Sequence, residues 1–340
     1  MHGDTTPVDE GFLSSLGVHR IPIPVPFAEA GGPVNAWAIL DEDGRWTLFD
    51  TGVSTPDGIA ALRGGAAEAG VDLRRLSRII VSHGHVDHYG NAQLLAEESG
   101  ARVYVHPDDV TKVLGQERFH LLLTRHRGYF LSALGVPAEL MDRLTAQAAA
   151  SRPVSRAVDE ARLERLSPGQ RFRFRHFDGE LLHCPGHTPG LVCLYAAGPR
   201  LLFANDHLLA KVSPNPLLDL SQGEGDTKFR ALVRYVESAQ AVRALDLAAV
   251  LPGHGPSFTG HRALIDGLLA FYVRRQDKLL ARVTSSPASV YEALEALFPR
   301  REPRLLVLML SEVLGNLEVL ETQRRVRRTQ DGDVTRYAPA

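Results

Sequence analysis

One short stretch of the chain, VSHGHVDHYGN at residues 81–91, holds four side chains of the types that bind transition metals. They are His83, His85, Asp87 and His88, directly after an apolar run. Neutral imidazole and carboxylate oxygen suit zinc, and also iron or manganese. The side chains at 83 and 85 can converge on one ion, while those at 87 and 88 can turn towards a second point. A solvated histidine-rich loop is the alternative, but this density of ligand types behind one strand favours a metal site.

Further polar residues stand in the same kind of place, at the end of an apolar run. The runs are TLFDTG, CPGHTPG, LLFAND and VLPGHGP, and they supply Asp50, His187, Asp206 and His254. Loops that leave the ends of strands are where α/β proteins place binding and catalytic residues. Each of these residues is weak evidence alone. Together with the histidine cluster they predict one site assembled from several strand ends.

The elements that would position these residues follow a mixed α/β pattern. Residues 34–50 contain two apolar runs around an Asp-Gly pair, which predicts a hairpin. Thr55 to Gly70 is predicted to be a helix, with Thr55 as N-cap and a proline at the first helical position. An apolar strand, a helix closed by Gly100 and a second strand then predict a βαβ unit over 77–107.

The rest of the chain predicts two additions to this α/β core. Residues 107–165 are helical in period and propensity, and we interpret them as a helical insertion. Short strands, a helix at about 226–244 and one more strand follow. From 261 onwards, three helical patches and a hairpin with an Asp-Gly turn predict a small winged-helix-like domain at 261–340. Residues 1–260 would then form the catalytic domain.

The composition excludes several classes of protein. The chain has 340 residues and a net charge of −2, so no global basic field indicates nucleic acid binding. An apolar run of about 18 residues is absent from the sequence, so a membrane span is not expected. The N-terminal residues lack the pattern of a signal peptide. Cys184 and Cys193 are too few for a disulfide framework, and we expect buried thiols in a cytoplasmic protein.

Taken in order, the candidate residues resemble the five motifs of the metallo-β-lactamase superfamily. The matching positions are Asp50, then His83, His85, Asp87 and His88, then His187, Asp206 and His254. The resemblance covers roughly residues 20–260. It implies an αββα sandwich with a metal site at one edge, between the two sheets.

The resemblance also implies a role for each of these residues. The ligands would divide into His83, His85 and His187 for one metal, Asp87, His88 and His254 for the other, and Asp206 as a bridge. Asp50 resembles the family's orienting residue, which fixes ligands rather than binding strongly itself. Two divalent ions, with zinc expected and iron or manganese as alternatives, would share a hydroxide as the nucleophile. Asp87 could aim that hydroxide by accepting a hydrogen bond from it.

Two classes of substrate compete at this stage. The pair Asp87 and His88 resembles the glyoxalase II, lactonase and nuclease branches more than true β-lactamases. One interpretation is a hydrolase of small thioesters or lactones. The other is a phosphodiesterase or endoribonuclease of the lactamase-beta-2-like type, with the C-terminal domain as reader. Residues 261–340 carry 13 Lys or Arg against 10 Asp or Glu, a difference of +3, which favours the small substrate. A C-terminal domain that only packs or forms a homodimer is a third alternative.

The insertion is the candidate for substrate recognition. It follows the metal loop in the sequence and is rich in leucine and aromatic residues, among them Phe119, Tyr129 and Phe130. We expect these three side chains to contact an apolar acyl group. The alternative is that they form only the insertion's own core.

Overall fold

The computed structural model describes residues 5–26, 31–115, 130–149, 154–214, 216–219, 229–300 and 305–340. Within these ranges, two β-sheets are stacked face to face and flanked by helices. A helical segment with a small sheet of its own follows at the C-terminus. The predicted mixed α/β sandwich is therefore confirmed.

The first sheet has six strands that lie side by side in chain order. Its strands are β1 (Val18–Ile23), β2 (Val34–Leu40), β3 (Trp46–Phe49), β4 (Leu76–Ile80), β5 (Arg102–Val105) and β6 (Leu163–Arg165). The first three pair antiparallel, and the β2–β3 pair is the hairpin predicted at 34–50. β3, β4, β5 and β6 pair parallel, which confirms the βαβ unit. The predicted helical insertion at 107–165 is wrong at its C-terminal end. Residues 163–165 form β6, which pairs with β5 and completes the edge of this sheet.

Helices cover the outer face of the first sheet. In chain order they are α2 (Pro56–Glu68), α3 (Val86–Tyr89), α4 (Ala92–Ser99) and α5 (Val110–Val113). The preceding helix, α1 (Glu10–Ser15), instead packs Leu13 into the layer between the two sheets. Thr55 caps α2 as predicted, since its side chain accepts a hydrogen bond from the Gly58 N–H. α4 ends at Gly100, whose φ of 76° is the left-handed conformation that glycine adopts without strain. Leu62 of α2 and Leu95 of α4 are buried in the same cluster as Ile79 of β4.

The second sheet has five strands in the order β11-β10-β9-β8-β7. Its strands are β7 (Arg171–Arg173), β8 (Asp178–His183), β9 (Val192–Ala196), β10 (Leu201–Asn205) and β11 (Ala249–Pro252). Only β10 and β11 pair parallel. Within the described residues, helices 231–243 and 261–285 cover its outer face, through buried side chains that include Leu232 and Leu268. The first of these begins at 231 and not near 226, and positions 226–228 lie outside the described residues.

The layer between the sheets is apolar and aromatic. Trp37 and Phe49 from the first sheet meet Leu194 and Phe203 from the second, and all four are fully buried. The Trp37 and Phe203 rings pack edge to face, with centroids 6.0 Å apart. Burying one large apolar side chain contributes roughly 1.5–3 kcal/mol, so this layer fixes the two sheets relative to each other. Residues at the shared edge of the two sheets are therefore held in fixed positions relative to one another.

The C-terminal segment contains helices and a three-stranded sheet. The insertion contains α6 (Ala138–Ala149), and the two helices on the second sheet are α7 (Ala231–Arg243) and α8 (His261–Ser285). The remaining elements of the C-terminal segment are α9 (Val290–Leu297), α10 (Leu306–Thr322), β12 (Ala288–Ser289), β13 (Val326–Asp331) and β14 (Val334–Pro339). The strand order is β12-β14-β13. The predicted three helices and hairpin are present, and a separate winged-helix-like domain at 261–340 stays a prediction. None of the described helices has the length and apolarity needed to cross a bilayer.

Residues 131–136, in the middle of the insertion, pack on the C-terminal segment. Leu131, Leu134 and Val136 are buried in one cluster with residues of α8, α9 and α10. The Tyr291 N–H of α9 donates a hydrogen bond to the Leu134 carbonyl at 2.9 Å. α8 also joins the two regions, because its Leu268 packs on the second sheet while its Leu279 belongs to the C-terminal cluster.

Candidate metal centre

The predicted site residues meet at one edge of the sandwich. β3 and β4 run parallel in one sheet, and β10 and β11 run parallel in the other, so each pair of strands ends at a shared edge. The strands β3, β4, β8, β10 and β11 are followed within four residues by Asp50, His83, His187, Asp206 and His254, respectively. The Val192 N–H donates to the Ser82 carbonyl at 2.9 Å and ties the two sheets together beside the site.

Three imidazoles form the first set of candidate ligands. His85 Nδ1 lies 2.9 Å from His83 Nε2 and also 2.9 Å from His187 Nε2. One ring nitrogen offers a single proton or a single lone pair, so it cannot make both contacts as full hydrogen bonds. The grouping is the one expected for three ligands of one ion.

Carboxylates and imidazoles form the second set. His254 Nε2 lies 3.5 Å from Asp87 Oδ2, and His88 Nε2 lies 3.9 Å from the same oxygen. Asp206 Oδ2 lies between the two sets, at 3.5 Å from both His88 Nε2 and His187 Nε2 and 3.7 Å from His254 Nε2. The structure thus brings all seven predicted ligands together and places Asp206 where a bridge would be.

Asp50 fixes the orientation of two of the imidazoles. Its Oδ2 lies 2.7 Å from His88 Nδ1 and accepts a hydrogen bond from Ser82 Oγ at 2.7 Å. Ser82 Oγ in turn lies 2.9 Å from His83 Nδ1. Since Nδ1 of each ring is engaged on this outer side, Nε2 of His83 and Nε2 of His88 both face the site. Asp50 adopts a φ of 63°, which is costly for a residue with a side chain and is held here by this buried network.

A separate group of residues orients His254. Its Nδ1 donates to the Gly32 carbonyl at 3.1 Å, which again leaves the Nε2 lone pair facing the site. The loop that carries it is held by Asn35, whose Nδ2 donates to the Pro252 carbonyl at 2.9 Å. The Trp37 indole N–H donates to the same carbonyl at 3.2 Å. Gly32 therefore orients the His254 ring, and Asn35 and Trp37 of β2 hold the loop that carries it.

Burial and neighbouring charges shift the pKa values of residues in both ligand sets. Burial, and then the charge of His187, lower the pKa of His85 to about 3, so its ring is neutral with a free lone pair. Burial raises the pKa of Asp87, but the charge of His88 and the interactions with His254 together outweigh burial, and the pKa falls to about 2. Burial lowers the pKa of His88, yet the carboxylates of Asp206 and Asp50 raise it well above its usual value. The carboxylates that raise this pKa are the groups that would attract a metal ion to the second set.

The site residues fit two divalent ions. His88 Nε2 and Asp206 Oδ1 are buried polar atoms without a hydrogen-bond partner among the described residues, and such atoms are costly unless a ligand satisfies them. The donors are imidazole nitrogens and carboxylate oxygens, the set that suits zinc, iron or manganese. Gly253 allows the close packing, since a Cβ at this position would lie 2.1 Å from Asp206 Oδ1.

Some contributing residues were not visible in the sequence. Ser82, Asn35 and the fully buried Asp109 contact the ligand loops, but each looks like an ordinary polar residue in the sequence. For Asp109, the one available signal was its position after a strand end, four residues beyond Val105.

The predicted substrate residues are only partly placed. Phe119 and Tyr129 lie outside the described residues. Phe130 packs on the C-terminal cluster and lines a small cavity together with Pro216 and Leu218. Contact between these aromatics and a substrate stays a prediction.

The donor set at the edge of an αββα sandwich defines the class of protein, a metallo-hydrolase. The Metallo-beta-lactamase superfamily profile matches residues 30–254, and the chain belongs to that superfamily. The family and fold predicted from the five motifs are therefore confirmed, and membership supports a metal-dependent hydrolase.

Similar proteins match along nearly their whole length. The chain is 26% identical to the probable metallo-hydrolase YqjP of Bacillus subtilis (strain 168), over 96% of this chain and 98% of the relative. The solved structure of a metallo-beta-lactamase family protein from Thermus thermophilus, TTHA1429, has a TM-score of 0.76 at 25% identity, covering 95% of this chain and 99% of that one. A beta-lactamase domain protein from Burkholderia ambifaria has a TM-score of 0.77 at 25% identity, with coverages of 100% and 95%. The likeness thus extends to the C-terminal segment.

Proposed function

We propose that the protein is a hydrolase with a two-metal site, and that zinc is the metal. His83, His85 and His187 would hold one ion, and Asp87, His88 and His254 the other, with Asp206 shared. The observation that carries the proposal is the fixing of Nδ1 on the outer side of three rings. It turns Nε2 of His88 and His254 towards Asp87 and Asp206, and Nε2 of His83 towards His85.

The two ions would supply a water of lowered pKa and a Lewis acid for the scissile group. The chain's own residues prepare that chemistry. Asp87 is ionised and lies beside His254, so it could accept a hydrogen bond from the attacking water and orient it. Asp50 is buried and holds His88 and, through Ser82, His83. It would act on the reaction only by keeping these rings in place.

We propose a small acyl compound, a thioester or a lactone, as the substrate. The support comes from the C-terminal hairpin and the residues just before it, where three arginines are ion-paired within the chain. Arg328 Nε lies 2.5 Å from Glu321, and Arg325 lies 3.4 Å from Asp277. Arg336 pairs with Glu292 at 2.7 Å. A surface that binds the nucleic acid backbone would offer unpaired cations.

The proposed apolar wall of the substrate site is the insertion, with Phe119, Tyr129 and Phe130 as its aromatic residues. An apolar pocket discriminates by about 1–3 kcal/mol per methylene, so a preference for acyl chain length should be measurable but not absolute. Alanine at positions 119 and 129 should flatten that preference without changing metal content. Phe130 is a poorer choice for this test, because it also packs on the C-terminal cluster.

A phosphodiesterase or endoribonuclease is the second candidate. The observation in its favour is a groove on the C-terminal hairpin lined by Arg324, Arg327 and Arg328. The free thiols of Cys184 and Cys193, both buried, are in keeping with a cytoplasmic enzyme of either kind.

A hydrolysis panel on metal-loaded protein separates the two candidates. The panel contains thioesters, lactones, phosphodiesters, a β-lactam and short RNA, and each is assayed from low to high salt. We expect the highest kcat/KM on a thioester or lactone, with little dependence on salt. Preferential cleavage of RNA, with activity falling steeply as salt rises, would favour the phosphodiesterase.

A further inference from the structure

A buried ion triad lies behind the first set of candidate ligands. Lys112 Nζ is 2.6 Å from Asp109 Oδ1 and 2.5 Å from Asp219 Oδ2. The exposed fractions of Lys112, Asp109 and Asp219 are 3%, 0% and 7%, so all three charges are withdrawn from water. Charges buried in this way are costly and persist where the surrounding contacts compensate them.

Asp109 contacts both loops that carry the first ligand set. The Gly84 N–H donates to its Oδ2 at 2.8 Å, and Thr188 Oγ1 donates to the same oxygen at 2.6 Å. The Gly190 N–H donates to its Oδ1 at 3.3 Å. Gly84 stands between His83 and His85 in the sequence, and Thr188 follows His187. One carboxylate therefore connects the two chain segments that present these three imidazoles.

The two loops are packed tightly on this triad. A Cβ at position 84 would lie 2.7 Å from Lys112 Cδ, and one at position 190 would lie 2.8 Å from Asp109 Cγ. Both distances are too short for any side chain other than that of glycine. The backbone of each loop thus has little room to move relative to the carboxylate.

The charge on Asp109 is part of the arrangement. Burial alone would raise its pKa, but the Lys112 ammonium and the hydrogen bonds from Lys112, Thr188 and Gly84 lower it overall. An ionised carboxylate only accepts hydrogen bonds, and bonds from N–H and O–H groups to it are about twice as strong as those between neutral groups. Lys112 therefore keeps Asp109 in the state that holds both loops.

Other residues anchor the second ligand set. His88 is held by Asp50, and His254 by Gly32 and the Asn35 contacts to its loop. We propose that Asp109 is a positioning residue for the first metal site alone, acting through the Gly84 N–H and the Thr188 hydroxyl. This inference rests on the proposed two-metal site.

The test measures metal affinity at each site separately. His254→Ala would leave the first site as the main binding site, and His187→Ala would leave the second. Asp109→Asn is introduced into each of these proteins, and Co²⁺ is titrated against a chromophoric chelator while its visible absorption is recorded. We expect Asp109→Asn to weaken Co²⁺ binding about 10- to 100-fold in the His254→Ala protein, with a changed absorption spectrum. In the His187→Ala protein the affinity should change less than about threefold.

Two further variants keep the inference open to refutation. Thr188→Val removes one hydroxyl without changing charge, and should weaken the first site by about three- to tenfold even if Asp109→Asn fails to fold. Asp41→Asn is the matched control, because Asp41 is also buried and pairs with an arginine, Arg78, but lies at the opposite end of β2. It should lower the thermal midpoint and leave both Co²⁺ affinities unchanged.

Equal losses in the two backgrounds, or no loss in either, would overturn the role of Asp109. A protein with both wild-type histidines that binds a single metal ion would instead overturn the two-metal proposal itself. The two failures are therefore distinguishable.

Discussion

Single residues at this site carry out distinct tasks that the geometry separates. Asp206 Oδ2 approaches His88, His187 and His254, which belong to both ligand sets. Asp50 approaches the outward nitrogen of His88 and, at Ser82, both the hydroxyl and the backbone N–H. A bridging carboxylate and an orienting one should therefore respond differently to removal.

Replacing each carboxylate with alanine tests that difference. Asp206→Ala should lose at least one metal ion per chain and nearly all turnover, because the two proposed ions would share this ligand. Asp50→Ala should keep more metal, with affinity lowered about 10- to 100-fold, because only the ring orientation is lost. Metal content by mass spectrometry and kcat/KM are the measurements. A larger loss of metal from Asp50→Ala would show that the two roles are assigned the wrong way round.

Gly253 offers a steric test of the same centre. A Cβ there would lie 2.1 Å from Asp206 Oδ1 and 3.1 Å from His88 Cε1, so Gly253→Ala should displace the carboxylate and reduce metal content and kcat together. Gly267→Ala is the control, because a Cβ at that position of α8 meets no atom within 4 Å. It should raise stability by about 0.5–1 kcal/mol through the better helix propensity of alanine and leave kcat unchanged. Unaltered metal content in Gly253→Ala would contradict the placement of Asp206.

The sequence predicted the site residues with unequal success. The seven candidate ligands are recognisable because their types are rare at such density and each follows an apolar strand. Asn35 and Asp109 are not recognisable, because their partners are far away in the chain. Asn35 binds the Pro252 carbonyl, 217 positions along, and Asp109 binds Thr188, 79 positions along. A side chain that acts through such contacts has no local signal.

At the scale of elements, local signals identified helices and strands but not their partners. The N-cap Thr55 and the left-handed Gly100 lie where the sequence placed them, because both depend on neighbouring residues only. The pairing of β10 with β11 and the burial of α10 depend on distant segments. α10 shows the limit clearly, since its residues from Met309 to Leu320 are all buried and the helix shows no clear polar face.

The buried helix α10 contains an acidic residue whose ionisation can be tested. Glu312 is 8% exposed, and its Oε1 lies 2.7 Å from Arg275 Nε. Burial raises the pKa of Glu312 above the usual 4.5, and the Arg275 charge offsets this only in part. Stability from the protonated form is present below about pH 4.5 and is lost as pH rises through the higher pKa of the folded state.

Glu312→Gln should remove this pH dependence. We expect the free energy of unfolding of the variant, relative to the wild type, to increase between about pH 4.5 and 7 in urea denaturation. The control is Glu295→Gln, since Glu295 is 59% exposed and pairs with Arg282 on the surface. It should show little change over the same range. A relative stability that falls with pH would mean that the Arg275 ion pair outweighs the effect of burial.

At the scale of the whole molecule, the sandwich, the insertion and the C-terminal segment share packing. Leu131 and Leu134 lie in the C-terminal cluster, and α8 runs from the second sheet into that cluster. The sequence separated these regions, because an apolar pattern shows that a face is buried but not which segment covers it. The Leu218 N–H, in the loop that follows β10, also donates to Ser311 Oγ of α10 at 3.1 Å. The C-terminal segment thus supports the loop that leaves the site.

The arginines of the C-terminal hairpin test whether this segment selects the substrate. The changes are glutamine at Arg324, Arg325, Arg327 and Arg328. Exposed ion pairs contribute about 0–1 kcal/mol each, so the variant should fold with modestly lower stability. We expect turnover of a small ester to stay within about twofold of the wild type, because Arg325 and Arg328 are paired within the segment and Arg327 bonds to the Pro339 carbonyl of the hairpin. Loss of activity, with RNA as the better substrate of the wild type, would establish the phosphodiesterase instead.

The central claim is that one edge of the sandwich holds two metal ions, and metal stoichiometry tests it most directly. The protein is stripped with a chelator, loaded mildly with Zn²⁺, desalted and analysed for bound metal per chain. We predict close to two ions for the wild type and close to one for His254→Ala, which removes a ligand of the second set. A reproducible single ion in the wild type, with His88 and His254 unbound in a crystal structure of the loaded protein, would contradict the account.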